Sequence, residues 1–246
     1  MHSMVTHSLA GVSMASVSMA GKEDKDDIVF YDRLIGDGKA YIICDIPITR
    51  QDSYEAEFIV PTSTTGAMTV FGAAKINHDG KAIMETIGTG SNTSSGNTQL
   101  LSICGVSDYG HYNDVGYVQR TNLTTFLTSV NIPSSYTSGG TTITVQFYKD
   151  GNLIKETTSP DRWPSDYRHF SIFARAVYNT SESEIKEIQL LSKSMIVKKV
   201  RVYKNGINIY LLRPCIYRGE AGMYDVVNEV FYGNANTEGS FSVAND

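Results

Sequence analysis

A period-two alternation of apolar and polar side chains predicts β-strands through most of this chain. Residues 54–60 place apolar side chains at every even position, whereas Glu55 and Glu57 fall between them. Successive side chains of a strand point to opposite faces, so this segment has one apolar face and one polar face. Residues 143–148 alternate in the same way, with Val145 and Phe147 on the apolar side.

Turn residues separate these runs and predict hairpins. Asp150-Gly151 stands between the strand pattern of residues 142–149 and an apolar return segment. Asn205-Gly206 stands in an equivalent place, and Asp79-Gly80 ends a further short turn. Asn-Gly and Asp-Gly pairs suit type I′ turns, in which both central residues need positive φ.

Two segments leave a helix open as an alternative. Residues 181–191 carry Ile185 and Ile188 at helical spacing, although a loop that runs into a strand fits equally. Residues 121–133 could form a short helix, but their β-branched content disfavours it. A dozen short strands with frequent turns predict an all-β, two-sheet antiparallel jelly-roll sandwich, formed as one domain by residues 28–246.

Composition and charge narrow the function. The chain has 246 residues with a net charge of −5, so it lacks the basic excess with which duplex-binding proteins neutralise phosphates. It contains no apolar stretch of the roughly 18 residues that cross a bilayer. Neither nucleic acid nor a membrane is an expected partner. The three cysteines, Cys44, Cys104 and Cys215, are predicted to be buried thiols, with a Cys44–Cys215 pair left open.

The first 21 residues form a separate problem. They contain no Lys or Arg and repeat a Val-Ser-Met-Ala unit, which disfavours a signal peptide and suggests an extended arm. We predict that the arm anchors the protein to a partner and that the domain is held outward, beyond a charged hinge at residues 21–27. The alternative is that the arm is a cloning remnant or a crystal contact. The predicted anchoring side chains are Val5, Leu9, Val12, Met14, Val17 and Met19.

Several segments resemble a known family. Residues 142–157, 170–177 and 196–206 look like the core of a concanavalin A-like, LamG-type jelly roll, and residues 35–60 are similar to its opening strands. Residues 211–241 resemble the closing motif of such domains in phage tail and virion proteins and in proteins of gut bacteria. The matching positions are Pro214, Cys215, Arg218, Gly222, Met223, Tyr224, Asp225, Phe231, Tyr232, Asn234 and Phe241. The residues themselves favour a structural role for this motif, with Asp225 accepting backbone N–H bonds in the following turn.

Catalytic patterns are not found. Glycoside hydrolysis needs two carboxylates that face the same sugar. Glu182, Glu184 and Glu187 lack that spacing, and Glu55 and Glu57 lie on the polar side of their strand. The five histidines show no metal-binding spacing, so no catalytic or metal residues are predicted.

The segment of residues 107–117 is the candidate carbohydrate site, because aromatic rings pack on sugar faces and Asp or Asn oxygens bind hydroxyls or Ca²⁺. A surface loop or a subunit contact is the simpler alternative, and no cofactor other than Ca²⁺ is considered. The candidate residues are Asp108, Tyr109, His111, Tyr112, Asn113 and Asp114.

The sequence therefore favours a non-enzymatic virion structural protein, a phage fibre, decoration or tail component. Its partners would be other virion proteins or copies of itself, as in a trimer, reached through residues 1–21. The alternative is a lectin-like carbohydrate-binding module that binds a host-surface glycan from the virion or acts as a bacterial cell-surface adhesin. A glycoside hydrolase ranks third.

Overall fold

A computed structural model describes residues 27–46, 52–60, 68–76, 82–92, 97–107, 113–131, 142–160, 170–179, 185–189 and 195–246. These segments form strands and turns, and no α-helix occurs among them. The strands are β1 (Ile28–Phe30), β2 (Arg33–Gly36), β3 (Ile42–Cys44), β4 (Asp52–Ile59), β5 (Met68–Ile76), β6 (Ala82–Asn92), β7 (Asn97–Ser107), β8 (Asn113–Gln119), β9 (Leu123–Asn131), β10 (Thr142–Lys149), β11 (Asn152–Pro160), β12 (Phe170–Ile172), β13 (Arg175–Asn179), β14 (Ile185–Gln189), β15 (Ile196–Lys204), β16 (Ile207–Tyr217), β17 (Glu220–Asp225), β18 (Val230–Tyr232) and β19 (Phe241–Ala244).

The strands form two sheets. The first has the order β11-β10-β9-β4-β15-β16-β17-β18, with β1 beside β16, β2 beside β15 and β19 beside β2. The second has the order β14-β13-β5-β6-β7-β8, with β12 joining β3 to β5. The pair β13 and β5 is parallel, and the other described pairs are antiparallel. The predicted two-sheet antiparallel jelly-roll sandwich is confirmed.

The apolar faces of the two sheets meet in one core. In β4 the buried positions alternate with half-buried ones, so Tyr54 and Phe58 face the core while Glu55 and Glu57 face outward, as predicted. The ring of Tyr54 in the first sheet lies 5.5 Å from that of Phe71 in the second. The Phe71 ring lies 5.8 Å from Phe170, in an edge-to-face arrangement. The contact between Tyr54 and Phe71 joins the two sheets across the core, and that between Phe71 and Phe170 lies within the second sheet.

Type I′ turns close three of the hairpins. Asp150 and Gly151 have φ of 49° and 79°, and Asn205 and Gly206 have φ of 51° and 76°. Both turns are confirmed predictions. A third turn, at Arg218-Gly219 with φ of 51° and 84°, joins β16 to β17. Asp150 also fixes its hairpin to β9, because its Oδ1 accepts a 2.9 Å hydrogen bond from the Thr125 N–H.

Both helical alternatives are wrong. Residues 185–189 form β14, which pairs with β13. The register of this pair shifts between Val177 and Tyr178 of β13, which marks a bulge. A bulge adds a residue to one strand, so a spacing of three fits a strand there. Residues 123–131 form β9 and pair with both β4 and β10.

The cysteine prediction holds where the structure describes the side chains. Cys44 and Cys215 are both fully buried free thiols. Burial raises the pKa of the Cys44 thiol well above its ordinary value, and the Asp225 carboxylate adds to the shift. An inert, protonated thiol is the expected result.

The tail motif closes the domain. Asn234 Oδ1 accepts hydrogen bonds from the N–H groups of Tyr41 and Asn236, at 3.3 and 3.1 Å, while its Nδ2 donates to Asn236 O and Gly239 O, both at 2.7 Å. Of the two adjacent rings in β18, Tyr232 packs against the core and Phe231 packs on Tyr217 at 5.2 Å. At these positions the side chains of the motif make contacts within the domain.

Candidate functional site

An open groove lies at one end of the first sheet, where β4, β15, β16 and the β17–β18 turn meet. Its volume is about 420 Å³. Its walls consist of four polar side chains, one aromatic side chain and two aliphatic side chains. The lining residues are Asp52, Lys204, Asn208, Ile209, Tyr210, Val227 and Asn228.

Strand register brings these distant residues together. Asp52, the first residue of β4, pairs with Lys204, the last residue of β15. The Asn205-Gly206 turn then reverses the chain, so that Asn208 returns opposite Tyr203 and Tyr210 opposite Val202. A bulge between Val202 and Tyr203 shifts the register at this point. Bulges commonly redirect side chains near binding sites.

Asp225 holds the turn that forms one wall of the groove. This fully buried carboxylate accepts hydrogen bonds from the N–H groups of Leu211 and Val227, at 3.1 and 3.0 Å. Its second oxygen accepts a 2.5 Å hydrogen bond from Asn228 Nδ2, which also donates to Ile209 O at 2.9 Å. The predicted role of Asp225 as an acceptor in this turn is confirmed. The turn is therefore fixed in place before any ligand arrives.

Asn208 is held by the bulge. With its amide oriented to satisfy both neighbours, Nδ2 donates to Tyr210 O at 2.8 Å and to Val202 O at 3.2 Å. The side-chain amide of Asn208 is thus hydrogen-bonded to the backbone at the bulge between β15 and β16. Asn208 shapes the groove rather than offering a mobile amide.

The groove has an acidic electrostatic character around Tyr210. Burial raises the pKa of the Tyr210 hydroxyl, and the carboxylates of Asp225, Asp52 and Asp45 raise it further. The hydroxyl therefore stays protonated at neutral pH and can donate a hydrogen bond. Asp52 is 1% exposed, whereas Lys204, its partner on the neighbouring strand, is exposed to solvent.

The groove combines polar and apolar contacts. Asp52 supplies a buried negative charge, Lys204 an exposed ammonium donor and Tyr210 a ring with a hydroxyl. Ile209 and Val227 supply aliphatic surface, and the exposed fractions of Val227 and of Ile207 at the neighbouring hairpin tip are 45% and 68%. Aliphatic and aromatic surface with a few fixed polar groups is the usual composition of a small-molecule site.

None of the site residues predicted from the sequence is among the described lining residues of the groove, and most of them lie outside the described part of the chain. Residues 108–112 lie outside the described residues, and so do the arm positions Val5, Leu9, Val12, Met14, Val17 and Met19. Asn113 and Asp114 begin β8, where they pair with Ser102 and Leu101. The second half of residues 107–117 thus belongs to a strand that pairs with β7, and the carbohydrate site predicted for this segment stays a prediction.

Two outward carboxylates are paired across the first sheet. Glu55 forms an ion pair with Arg201, and Glu57 forms one with Lys199. Burial lowers the pKa of Arg201, but the Glu55 carboxylate and Tyr203 outweigh it, so the net shift is upward. These pairs lie on the outer face of β4 and β15 and do not line the groove.

No three His, Cys, Asp or Glu side chains of the described residues come together in a way that could hold a metal ion. Nor does the described part contain a helix of the length and apolar character that a bilayer requires.

No protein-family model matches this chain, and no curated protein matches it. Solved structures do resemble it. A candidate carbohydrate-binding protein from Bacteroides ovatus is similar over 89% of this chain, with a TM-score of 0.50 and 12% identity. This likeness supports the sandwich fold. The chain spans 61% of that protein's length.

Two further structures are similar at lower scores. A galectin from Caenorhabditis elegans matches 74% of this chain and 99% of its own, with 11% identity and a TM-score of 0.33. An alginate lyase in complex with an alginate trisaccharide matches 72% of this chain and 80% of its own, with 13% identity and a TM-score of 0.34.

Proposed function

We propose that this protein is a non-enzymatic carbohydrate-binding module that binds a glycan in the groove at the end of the first sheet. The observation that carries the proposal is the groove itself, in which Asp52, Lys204 and Tyr210 stand beside the aliphatic side chains of Ile209 and Val227. The fold similarity to a candidate carbohydrate-binding protein supports the same reading. The alternative drawn from the sequence, a lectin-like module, thus gains support over a purely structural role.

The chemistry of the groove matches that of a sugar. A pyranose ring has hydroxyls around its edge and a C–H surface on its face. The exposed ammonium of Lys204 can donate hydrogen bonds to sugar hydroxyls, and charge-assisted bonds of this kind are stronger than neutral ones. The ring of Tyr210 and the side chain of Val227 offer apolar surface to the C–H face. The fixed turn reduces the ordering cost of binding.

We also propose that the protein does not hydrolyse the glycan. Hydrolysis of a glycosidic bond uses a pair of carboxylates at a defined separation. Among the described lining residues Asp52 is the carboxylate. Asp225 lies behind the turn with both oxygens engaged by three donors. This arrangement favours binding over acid–base chemistry.

The test is glycan binding by the full chain and two tyrosine variants. A glycan array identifies ligands, and calorimetry measures the affinity. Tyr210→Ala should lower the affinity by about tenfold or more, because a central aromatic contact is lost. Tyr148→Ala is the matched control, since Tyr148 lies on β10, away from the groove, and bonds to Gln146. Equal binding by Tyr210→Ala and the parent chain would refute the site.

The place of the module in a phage particle and the anchoring role of residues 1–21 stay predictions. Deletion of residues 1–21 tests them, with incorporation into particles or self-assembly as the measurement. The anchoring hypothesis requires a truncated protein that binds glycan normally but no longer assembles. Normal assembly would disprove it. A bacterial cell-surface location is the alternative, in which no particle would carry the protein.

A further inference from the structure

The groove has an unequal distribution of charge. Asp52 lines it, and Asp225 lies directly behind its turn wall, bonded to Asn228. Asp45 follows β3 and acts on the same Tyr210 hydroxyl as these two carboxylates. Lys204 is the cation among the described lining residues. Two carboxylates thus lie at or directly behind the groove and a third acts on its tyrosine, whereas the described lining contains one cation.

Burial makes the inequality larger. Asp52 and Asp225 are 1% and 0% exposed, whereas Lys204 is exposed to water. A charge at low effective dielectric acts more strongly than a charge in water. Water and salt therefore screen the ammonium of Lys204 more than they screen the two carboxylates. The upward shift in the pKa of Tyr210 agrees with a negative potential at the groove.

From this charge distribution we infer that the groove selects uncharged glycans and discriminates against glycans that carry carboxylates or sulfates. The inference rests on the proposed function and specifies its ligand class. An anionic group placed beside Asp52 and Tyr210 would lose water and meet like charge, and both effects oppose binding. Hydroxyls meet no such opposition, because they carry no charge.

The experiment compares glycans in matched pairs on the full chain. Each neutral oligosaccharide is presented beside the same backbone bearing a uronic acid carboxylate or a sulfate ester. The neutral member should bind about tenfold or more tightly at low salt. Raising the salt from about 0.01 M to about 1 M shortens the screening length from about 30 Å to about 3 Å, so this difference should shrink. Affinity for the neutral member should change little.

Two charge variants locate the effect. Asp45→Asn removes an exposed carboxylate that does not line the groove, so it should narrow the neutral-to-acidic ratio by about twofold and leave neutral binding unchanged. Glu238→Gln is the control, because it changes the net charge equally at an exposed position outside the groove lining. An equal effect of both variants would mean that overall charge, rather than the groove, controls selection, and would overturn the inference.

The outcomes separate this inference from the proposed function. Tyr210-dependent binding with equal or tighter affinity for the acidic members would overturn the inference and leave the proposed function intact. A preference for neutral members that does not vary with salt would also overturn it. If the protein binds no glycan at all, the proposed function fails and the inference fails with it.

Discussion

The N–H of Ser240 donates a 2.7 Å hydrogen bond to Oδ2 of Asp37, across a separation of 203 residues. The other oxygen of Asp37 accepts bonds from the N–H groups of Lys39 and Ala40, both at 2.8 Å. One carboxylate therefore fixes a local turn and joins it to the last part of the chain. Burial opposes ionisation of Asp37, but the bonds from Ala40, Lys39 and Ser240 outweigh it and hold its pKa below the ordinary value.

We expect Asp37→Ala to lower the free energy of unfolding by about 1–2 kcal/mol at neutral pH, as loss of a capping carboxylate does elsewhere. Because the folded pKa is depressed, this contribution is present above the unfolded value and disappears as the pH falls through the folded pKa. Urea unfolding measures the difference in the free energy of unfolding between the two proteins from pH 7 down to about pH 2.5, which is about one unit below the usual pKa range of carboxylates. A difference that stays constant over this range would contradict the assignment.

Gly222 of β17 is required by a close approach. A Cβ built there would lie 2.4 Å from the carbonyl oxygen of Tyr232 and 2.8 Å from the Phe231 ring. We expect Gly222→Ala to cost about 3 kcal/mol or more, because backbone on the neighbouring strand must move. Gly151→Ala serves as the comparison: no atom lies within 4 Å, so its cost should stay near 1 kcal/mol, set by positive φ alone. Similar costs at both positions would refute the steric argument.

Buried tyrosines predict a loss of stability at high pH. Burial raises the pKa of Tyr232 far above its ordinary value, and the negative charge of Asp225 adds to the shift. A raised folded pKa means that stability is complete below the unfolded value, about 10, and falls as the pH rises from there toward the folded pKa. Tyr232→Phe removes this ionisation, so its stability should fall less steeply above about pH 10 than that of the parent chain.

Thermal unfolding of both proteins from neutral to alkaline pH provides the measurement. The baseline is the difference in stability at neutral pH, where neither protein carries a charge at this position. Parallel curves for the two proteins would show that Tyr232 does not contribute. Burial also raises the pKa of Tyr41, Tyr203 and Tyr210. The parent curve should therefore keep part of its alkaline slope in the variant.

The aromatic contacts of Phe71 predict a large cost for its truncation. Phe71 is 1% exposed and touches Tyr54 and Phe170 on either side. Phe71→Ala should lower the free energy of unfolding by about 3–5 kcal/mol, through lost burial and the cavity left behind. Leu153→Ala, at a position that is 51% exposed, should cost less than about 0.5 kcal/mol. Denaturant unfolding of both variants tests the contrast.

Much of the fold follows from local sequence. The alternation over residues 54–60 and the turns at Asp150-Gly151 and Asn205-Gly206 depend on neighbouring residues alone, and the structure contains all three. Arg218-Gly219 escaped prediction because arginine rarely adopts positive φ, and nothing in its side chain indicates that it does so here. The spacing of Ile185 and Ile188 misled because a bulge imitates a helical interval.

The groove could not be predicted in the same way. Asp52 and Lys204 meet through the register of β4 against β15, which no local pattern specifies. One signal was available: Asp52 has the same parity as Tyr54 and Phe58 and so places a carboxylate on the apolar face of its strand. A charged group on a buried face often marks a functional site. The chain's Tyr-rich segment at residues 107–117 was a more conspicuous but separate signal.

The pairing of β19 with β2 has a consequence for synthesis of the protein. β2 leaves the ribosome early, yet its outer neighbour β19 arrives some two hundred residues later, along with Ser240 and its bond to Asp37. Until then the nascent chain carries an incomplete sheet with an open edge at β2. Long-range pairing of this kind folds slowly and exposes strand edges to other chains. We therefore expect the chain to associate with other chains more readily before β19 pairs with β2 than afterwards.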